Sequence, residues 1–137
     1  MNIGLGDQRR TILLVDTDPH ARAVLRLALE AAGFSVGEAA TAHEGERTAR
    51  RIKPDAILAE LILDTSDGGI TIAERLHANA STIPCYIVSS AGDVLIGAVG
   101  LHEMGIAGVF LKPVDTAIVI QTLRTRLAAS PRAAAHA

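Results

Sequence analysis

Tryptophan is absent from the 137 residues, tyrosine occurs once and phenylalanine twice. A core without aromatic bulk must be filled by aliphatic side chains, and Ala, Val, Ile and Leu make up most of the 49% of residues that are hydrophobic. That balance suits parallel strands covered by helices on both faces. The single cysteine, Cys85, excludes an intrachain disulfide and a cysteine-rich metal site, and is compatible with a reducing compartment. It reads as a small core residue. Excess positive charge is also lacking: the formal net charge is −2, so no basic footprint marks direct nucleic-acid contact. The adjacent Arg9 and Arg10 read as a solvated flank. No apolar run is long enough to span a bilayer, and the first ten residues lack a long apolar stretch ahead of a cleavage site. The expectation is a cytoplasmic protein with no membrane partner, of a length that suits one compact domain.

What is present is a strict alternation of short apolar runs and helical patterns. TILLV, Thr11 to Val15, is β-branched and apolar at successive residues, as for a strand buried on both faces. Asp18 then Pro19 reads as an N-cap and first turn, and Ala21, Val24, Leu25, Ala28 and Ala32 recur at helical spacing until Gly33. Residues 34 to 39 form a weaker second strand. A helix follows from about Ala42, with Ala42, Gly45, Ala49 and Ile52 on one face, arginines on the other and Pro54 limiting its end. The third strand is Ala56 to Glu60, opening into the turn-rich Asp64-Thr65-Ser66-Asp67-Gly68-Gly69. A helix over about Ile70 to Asn79, a strand over Pro84 to Val88, a helix over Val94 to Met104, a strand over Gly108 to Leu111 and a helix over Thr116 to Ala129 complete the pattern. Five strands alternating with five helices imply right-handed crossovers and a doubly wound α/β domain. Residues 1–10 read as an N-terminal flank, 11–129 as the domain, and 130–137 as an Ala-rich, disordered tail.

In open α/β sheets, ligands bind beyond the carboxyl ends of the strands. After strand one stands Asp16, at the end of strand three Glu60, after strand four Ser90, and after strand five Lys112. Two carboxylates, a hydroxyl and an ammonium are thus delivered to one rim of the sheet. Any one of them alone is an ordinary solvated terminus; the set of four points to a site. The segments carrying them are ILLVDTDP (12–19), PDAILAELILDTSDG (54–68), IPCYIVSSA (83–91) and FLKPVD (110–115). In that order and spacing, over roughly residues 11 to 128, they resemble the receiver domain of two-component response regulators. The resemblance implies the flavodoxin-like strand order 2-1-3-4-5, an order for which a receiver is itself a standard example.

The resemblance also implies a chemistry, from which the chain departs in three places. A usual receiver takes a phosphoryl group from a phosphohistidine onto an aspartate beside Mg²⁺. By position the acceptor is residue 60, the metal carboxylates are residues 16 and 17, and the carbonyl of Ile62 completes the protein ligands. Ser90 and Lys112 contact the phosphoryl group. Residue 60 is Glu, which carries its carboxylate about 1.5 Å further out. In-line transfer is sensitive to misplacement of about 1 Å. Position 17 is Thr, so the acidic pocket of Asp16, Thr17 and Asp18 lacks a charge and only weak Mg²⁺ binding is expected. The switch position, usually aromatic, is Val109. The expectation is therefore a non-enzymatic, phosphorylation-independent signalling protein. At the rim two readings stand side by side: Glu60 mimicking a phosphorylated acceptor and pairing with Lys112, or a bare retained Asp16–Lys112 ion pair; Val109 in place of the aromatic switch weakens the first. The alternatives are a phospho-acceptor at another acid, such as Asp64 or Asp67, and a small-molecule-binding protein on the same scaffold.

Other candidates carry less. His20, His43, His77, His102 and His136 show no two-ligand helical spacing, so no metal site is expected. Gly4-Leu5-Gly6 precedes the first strand and is no dinucleotide fingerprint. Ser89, Ser90 and Cys85 lack a nucleophile-elbow pattern. The 94–104 segment is apolar on most sides, which marks a buried or partner-covered helix. With the last helix it suggests a face of Val94, Leu95, Val99 and Ile118, on the fourth-helix, fifth-strand, fifth-helix side, for a homodimer or a protein partner. A histidine kinase is a further expected partner. With only eight residues after Ala129, output is expected to pass through protein contact.

Overall fold

The computed structural model describes residues 9–60, 75, 82–89 and 105–128. The strands are β1 (Thr11–Val15), β2 (Ser35–Ala39), β3 (Ala56–Glu60), β4 (Cys85–Ser89) and β5 (Ile106–Leu111). They form one sheet in the order β2-β1-β3-β4-β5, and every pairing is parallel. The helices among the described residues are α1 (Pro19–Ala31), α2 (Ala42–Ile52) and a C-terminal helix, Thr116–Ala128. The expected helices over 70–79 and 94–104, and the 130–137 tail, lie outside the described residues.

Alternate residues of each strand feed two separate cores. Leu13, Val15, Ile57, Ala59, Cys85 and Ile87 pack with Ala42 and Ala49 of α2. Ile12, Leu14, Leu58, Tyr86, Val88 and Phe110 pack with Leu25 and Leu29 of α1 and with Val119, Leu123 and Leu127 of the C-terminal helix. This two-sided burial is why the strands read as unbroken apolar runs. Tyr86 and Phe110 stack with ring centroids 5.3 Å apart. Their packing explains Gly108, where a Cβ would come within 3.2 Å of the Tyr86 ring.

Local signals set the element ends. Asp18 Oδ1 accepts the His20 N–H at 2.9 Å, and Pro19 follows the cap. Gly33, at φ +99°, turns the chain out of α1. Thr41 Oγ1 caps α2 by accepting from Glu44 N, while Glu44 reaches back to Ala40 N. Lys53 closes α2 in the left-handed region ahead of Pro54. Asp115 Oδ1 accepts from the N–H groups of Ala117 and Ile118 at the start of the C-terminal helix.

Three sequence expectations shift. Val24 was expected on the buried face of α1 but is 46% exposed, and Leu27 is 70% exposed. The i,i+4 pair Leu25 and Leu29 faces the sheet, and Val24 falls to the side. Thr48, passed over within an arginine-rich stretch, is buried on the inner face of α2. β5 begins at Ile106, two residues earlier than expected, next to a register shift at Cys85/Tyr86.

Cys85 is 1% exposed within the first core, and burial pushes its thiol up to about 12. Almost no thiolate is available at neutral pH, so a disulfide reagent should leave the native chain unlabelled and modify it promptly in denaturant. Equal labelling rates in the two states would contradict this packing.

Candidate functional site

Parallel strands end in register, so the residues that follow them converge. Val15 pairs with both Ala39 and Ala59, Glu60 with Val88, and Ser89 with Leu111. Asp16 continues β1 through its N–H to the Ala39 carbonyl at 3.1 Å, and the Lys112 N–H bonds the Ser89 carbonyl at 2.8 Å. The Lys112–Pro113 peptide is cis. Asp16, Glu60 and Lys112 are thereby brought to one rim.

Lys112 Nζ bridges the two acids, at 3.1 Å from Glu60 Oε2 and 3.3 Å from Asp16 Oδ2. Glu60 Oε1 accepts twice from Thr17, from Oγ1 at 3.1 Å and from the backbone N–H at 3.3 Å. Asp16 Oδ1 accepts the Asp18 N–H at 2.8 Å. Each of the four carboxylate oxygens thus faces a donor. Thr17 meets Glu60 directly through its hydroxyl.

Burial raises the Asp16 carboxyl above the usual carboxylate range; the Asp18 N–H and Lys112 oppose this, while the Glu60 charge adds to it. Burial works against the Lys112 ammonium, but the hydrogen bond to Glu60 and the charge of Asp16 outweigh it, so its pKa is raised. Lys112 is therefore charged throughout the physiological range, while Asp16 is the strained member of the trio.

A second network, not foreseen from the sequence, braces this rim. Arg22 donates through Nη1 to the Asp16 carbonyl and through Nε to Glu38 Oε1 at 2.9 Å. Arg26 grips the other Glu38 oxygen, and the two arginines hold the Glu38 carboxyl below the usual range, Arg26 foremost. The strand order carried the signal. With β2 beside β1, a glutamate near the end of β2 and an arginine one turn into α1 must be neighbours.

The remaining expected positions fall as follows. Asp18 caps α1, so the structure places it beside the trio as a helix cap and not as a partner of Lys112. Val109 is half-buried against the first core. Ile118 is 53% exposed and Leu111, at the end of β5, is 49% exposed. Ser90, Val94, Leu95 and Val99 lie outside the described residues, as do Asp64 and Asp67. Among the described residues, no group of three His, Cys, Asp or Glu is arranged to hold a metal ion.

A five-stranded parallel sheet in this order, with an acid after β1, an acid closing β3 and a lysine after β5, defines a receiver, and the chain belongs to that family. The response regulator receiver domain matches residues 12–124. The chain is 29% identical over 91% of its length to the DNA-binding dual master transcriptional regulator RpaA of Synechocystis, covering 53% of that protein. It is 32% identical over 82% of its length to the transcriptional regulatory protein GlrR of Escherichia coli, covering 25% of it. The chain thus spans about half or less of these relatives. A CheY-like receiver domain protein from Methanospirillum hungatei superposes with a TM-score of 0.80 at 23% identity, covering 88% of this chain and 94% of that one. A two-component response regulator from Clostridium difficile gives 0.79 at 23% identity, covering 87% and 96%. At those identities the likeness concerns the fold. Among the described residues, no helix is long and apolar enough to cross a membrane.

Proposed function

We propose that this receiver signals without phosphorylation, with the Glu60–Lys112 pair standing permanently where a phosphorylated acceptor would engage the lysine. One observation carries the reading: Lys112 Nζ bridges Glu60 and Asp16 while Thr17 donates twice to the remaining Glu60 oxygen. A carboxylate so engaged must shed its donors before it can attack a phosphoryl group. The longer Glu60 side chain is what lets one carboxylate reach both Thr17 and Lys112.

The same arrangement bears on the cation that receivers use. A Mg²⁺ site needs several oxygen ligands in near-octahedral array and gains from carboxylate charge. Here Thr17 replaces one acid, and the ammonium lies between the two that remain. These residues do not fit a dedicated Mg²⁺ site, and at most weak binding is proposed. Output passes through protein contact. The exposed Ile118 and Leu111 support the fifth-strand side as part of that surface, in a homodimer or with a target protein. A histidine kinase remains a proposed partner, one that docks without delivering phosphate.

The test is intact-mass analysis after exposure to acetyl phosphate with Mg²⁺. No phosphoryl adduct is expected. A stoichiometric adduct on Glu60, Asp64 or Asp67 would overturn the proposal.

A further inference from the structure

Among the described residues, the cationic side chains without a partner are gathered on α2 and its C-cap. Arg22, Arg26, Arg50, Arg75 and Lys112 are held in ion pairs with carboxylates, and Arg124 donates to the Ala32 carbonyl. The side chains of Arg47, Arg51 and Lys53 make neither a hydrogen bond nor an ion pair among the described residues, and all three residues are exposed. Arg47 and Arg51 are one turn apart on α2, a like-charge i,i+4 pair that disfavours the isolated helix. A flanking carboxylate is engaged elsewhere: Glu46 accepts from Arg50 at 2.7 Å and from Arg75 at 3.0 Å.

Geometry makes these charges one surface. At 100° per residue, His43, Arg47, Arg50 and Arg51 fall within an arc of about 100°. That arc is opposite the buried residues Ala42, Gly45 and Ala49. From His43 to Arg51 it runs about 12 Å along the axis. An open concavity of about 590 Å³ lies along it, lined by Glu44, Arg47, Thr48, Arg50 and Arg51. Glu44, the one acid there, has Oε1 bonded to the Ala40 N–H at 2.6 Å.

We infer that this α2 face docks an acidic segment of a protein partner. Guanidinium forks pair carboxylates bidentately, and two unpaired arginines one turn apart match a short run of Asp or Glu. A polynucleotide is the poorer occupant, because its sites are long and strongly positive, whereas this patch is one helix on a chain of net charge −2. The inference rests on α2 alone and is independent of how the Glu60–Lys112 pair is read.

The test is fluorescence anisotropy of the full chain with a labelled oligoglutamate peptide at low ionic strength, beside an oligothymidylate of equal charge. Saturable peptide binding is expected, weakened about tenfold by the double substitution Arg47→Gln/Arg51→Gln, the loss of two exposed charge pairs. The charge-matched Arg9→Gln/Arg124→Gln variant should bind as the parent does. Circular dichroism checks that both variants keep their helices; should the α2 pair not, Arg47→Gln alone is expected to weaken binding about threefold. An equal loss in the matched control, tighter binding of the oligothymidylate, or no saturable peptide binding would each overturn the inference.

Discussion

The double substitution Glu60→Asp/Thr17→Asp is expected to raise the rate of labelling by acetyl phosphate in Mg²⁺ at least about 100-fold, as measured by intact mass over time. Glu60→Asp withdraws the carboxylate by one methylene, from the position in which it reaches both Thr17 and Lys112. Thr17→Asp removes the hydroxyl that donates to it and adds a third carboxylate to the rim, restoring charge for a divalent cation. The surrounding frame needs no change, because Asp16 and Lys112 are held by β1 and β5. Each single variant should gain less than the pair, since each leaves either the long side chain or the depleted pocket in place. A double variant as inert as the parent would mean that the obstacle lies outside the acceptor and the metal pocket.

Removing the ammonium should have the largest effect on stability. Lys112→Met leaves Asp16 and Glu60 facing one another with no counter-charge. Breaking a fully buried pair from one side costs about 3–5 kcal/mol, and an exposed one about 0–1 kcal/mol. The side chains are 28% exposed at Lys112, 9% at Asp16 and 19% at Glu60, so a loss of about 2 kcal/mol is expected by urea denaturation at neutral pH. The sign of the pH dependence follows from Asp16. Its folded-state pKa is already above the ordinary value, so its ionised form costs stability at neutral pH, and that cost is relieved as the pH falls through the raised pKa. Without Lys112 the cost grows, and the gap between variant and parent should narrow on acidification. Asp16→Asn in the Lys112→Met background should recover part of the loss. Equal stability of variant and parent at neutral pH would contradict the ion-pair geometry.

Much of this was legible in the residues. Runs such as ILLV and AILA are apolar at successive positions because two helical layers cover them, and the residues that follow, Asp16 and Glu60, are delivered to one rim. Asp18-Pro19 and Gly33 marked α1 through backbone chemistry that no tertiary contact overrides. The sidedness of α1 was not legible, because Val24 and Leu25 are equally apolar and only packing selects Leu25. The Arg22–Glu38–Arg26 brace was missed for a similar reason: it joins residues 12 to 16 apart whose meeting depends on strand order. Thr17 looked like a deletion of charge, yet its hydroxyl and N–H are what hold Glu60 from the side away from Lys112.

The pairing of Glu60 with Lys112 is tested most directly by following the Lys112 ammonium by NMR through alkaline titration, in the parent and in Glu60→Gln. The account predicts a Lys112 pKa above the ordinary lysine value in the parent, with stability from the pair present below that value and lost as the pH rises through the raised one. In Glu60→Gln the pKa should fall back towards the ordinary value, leaving only the contribution of Asp16. A Lys112 pKa that does not move when the Glu60 charge is removed would contradict the account.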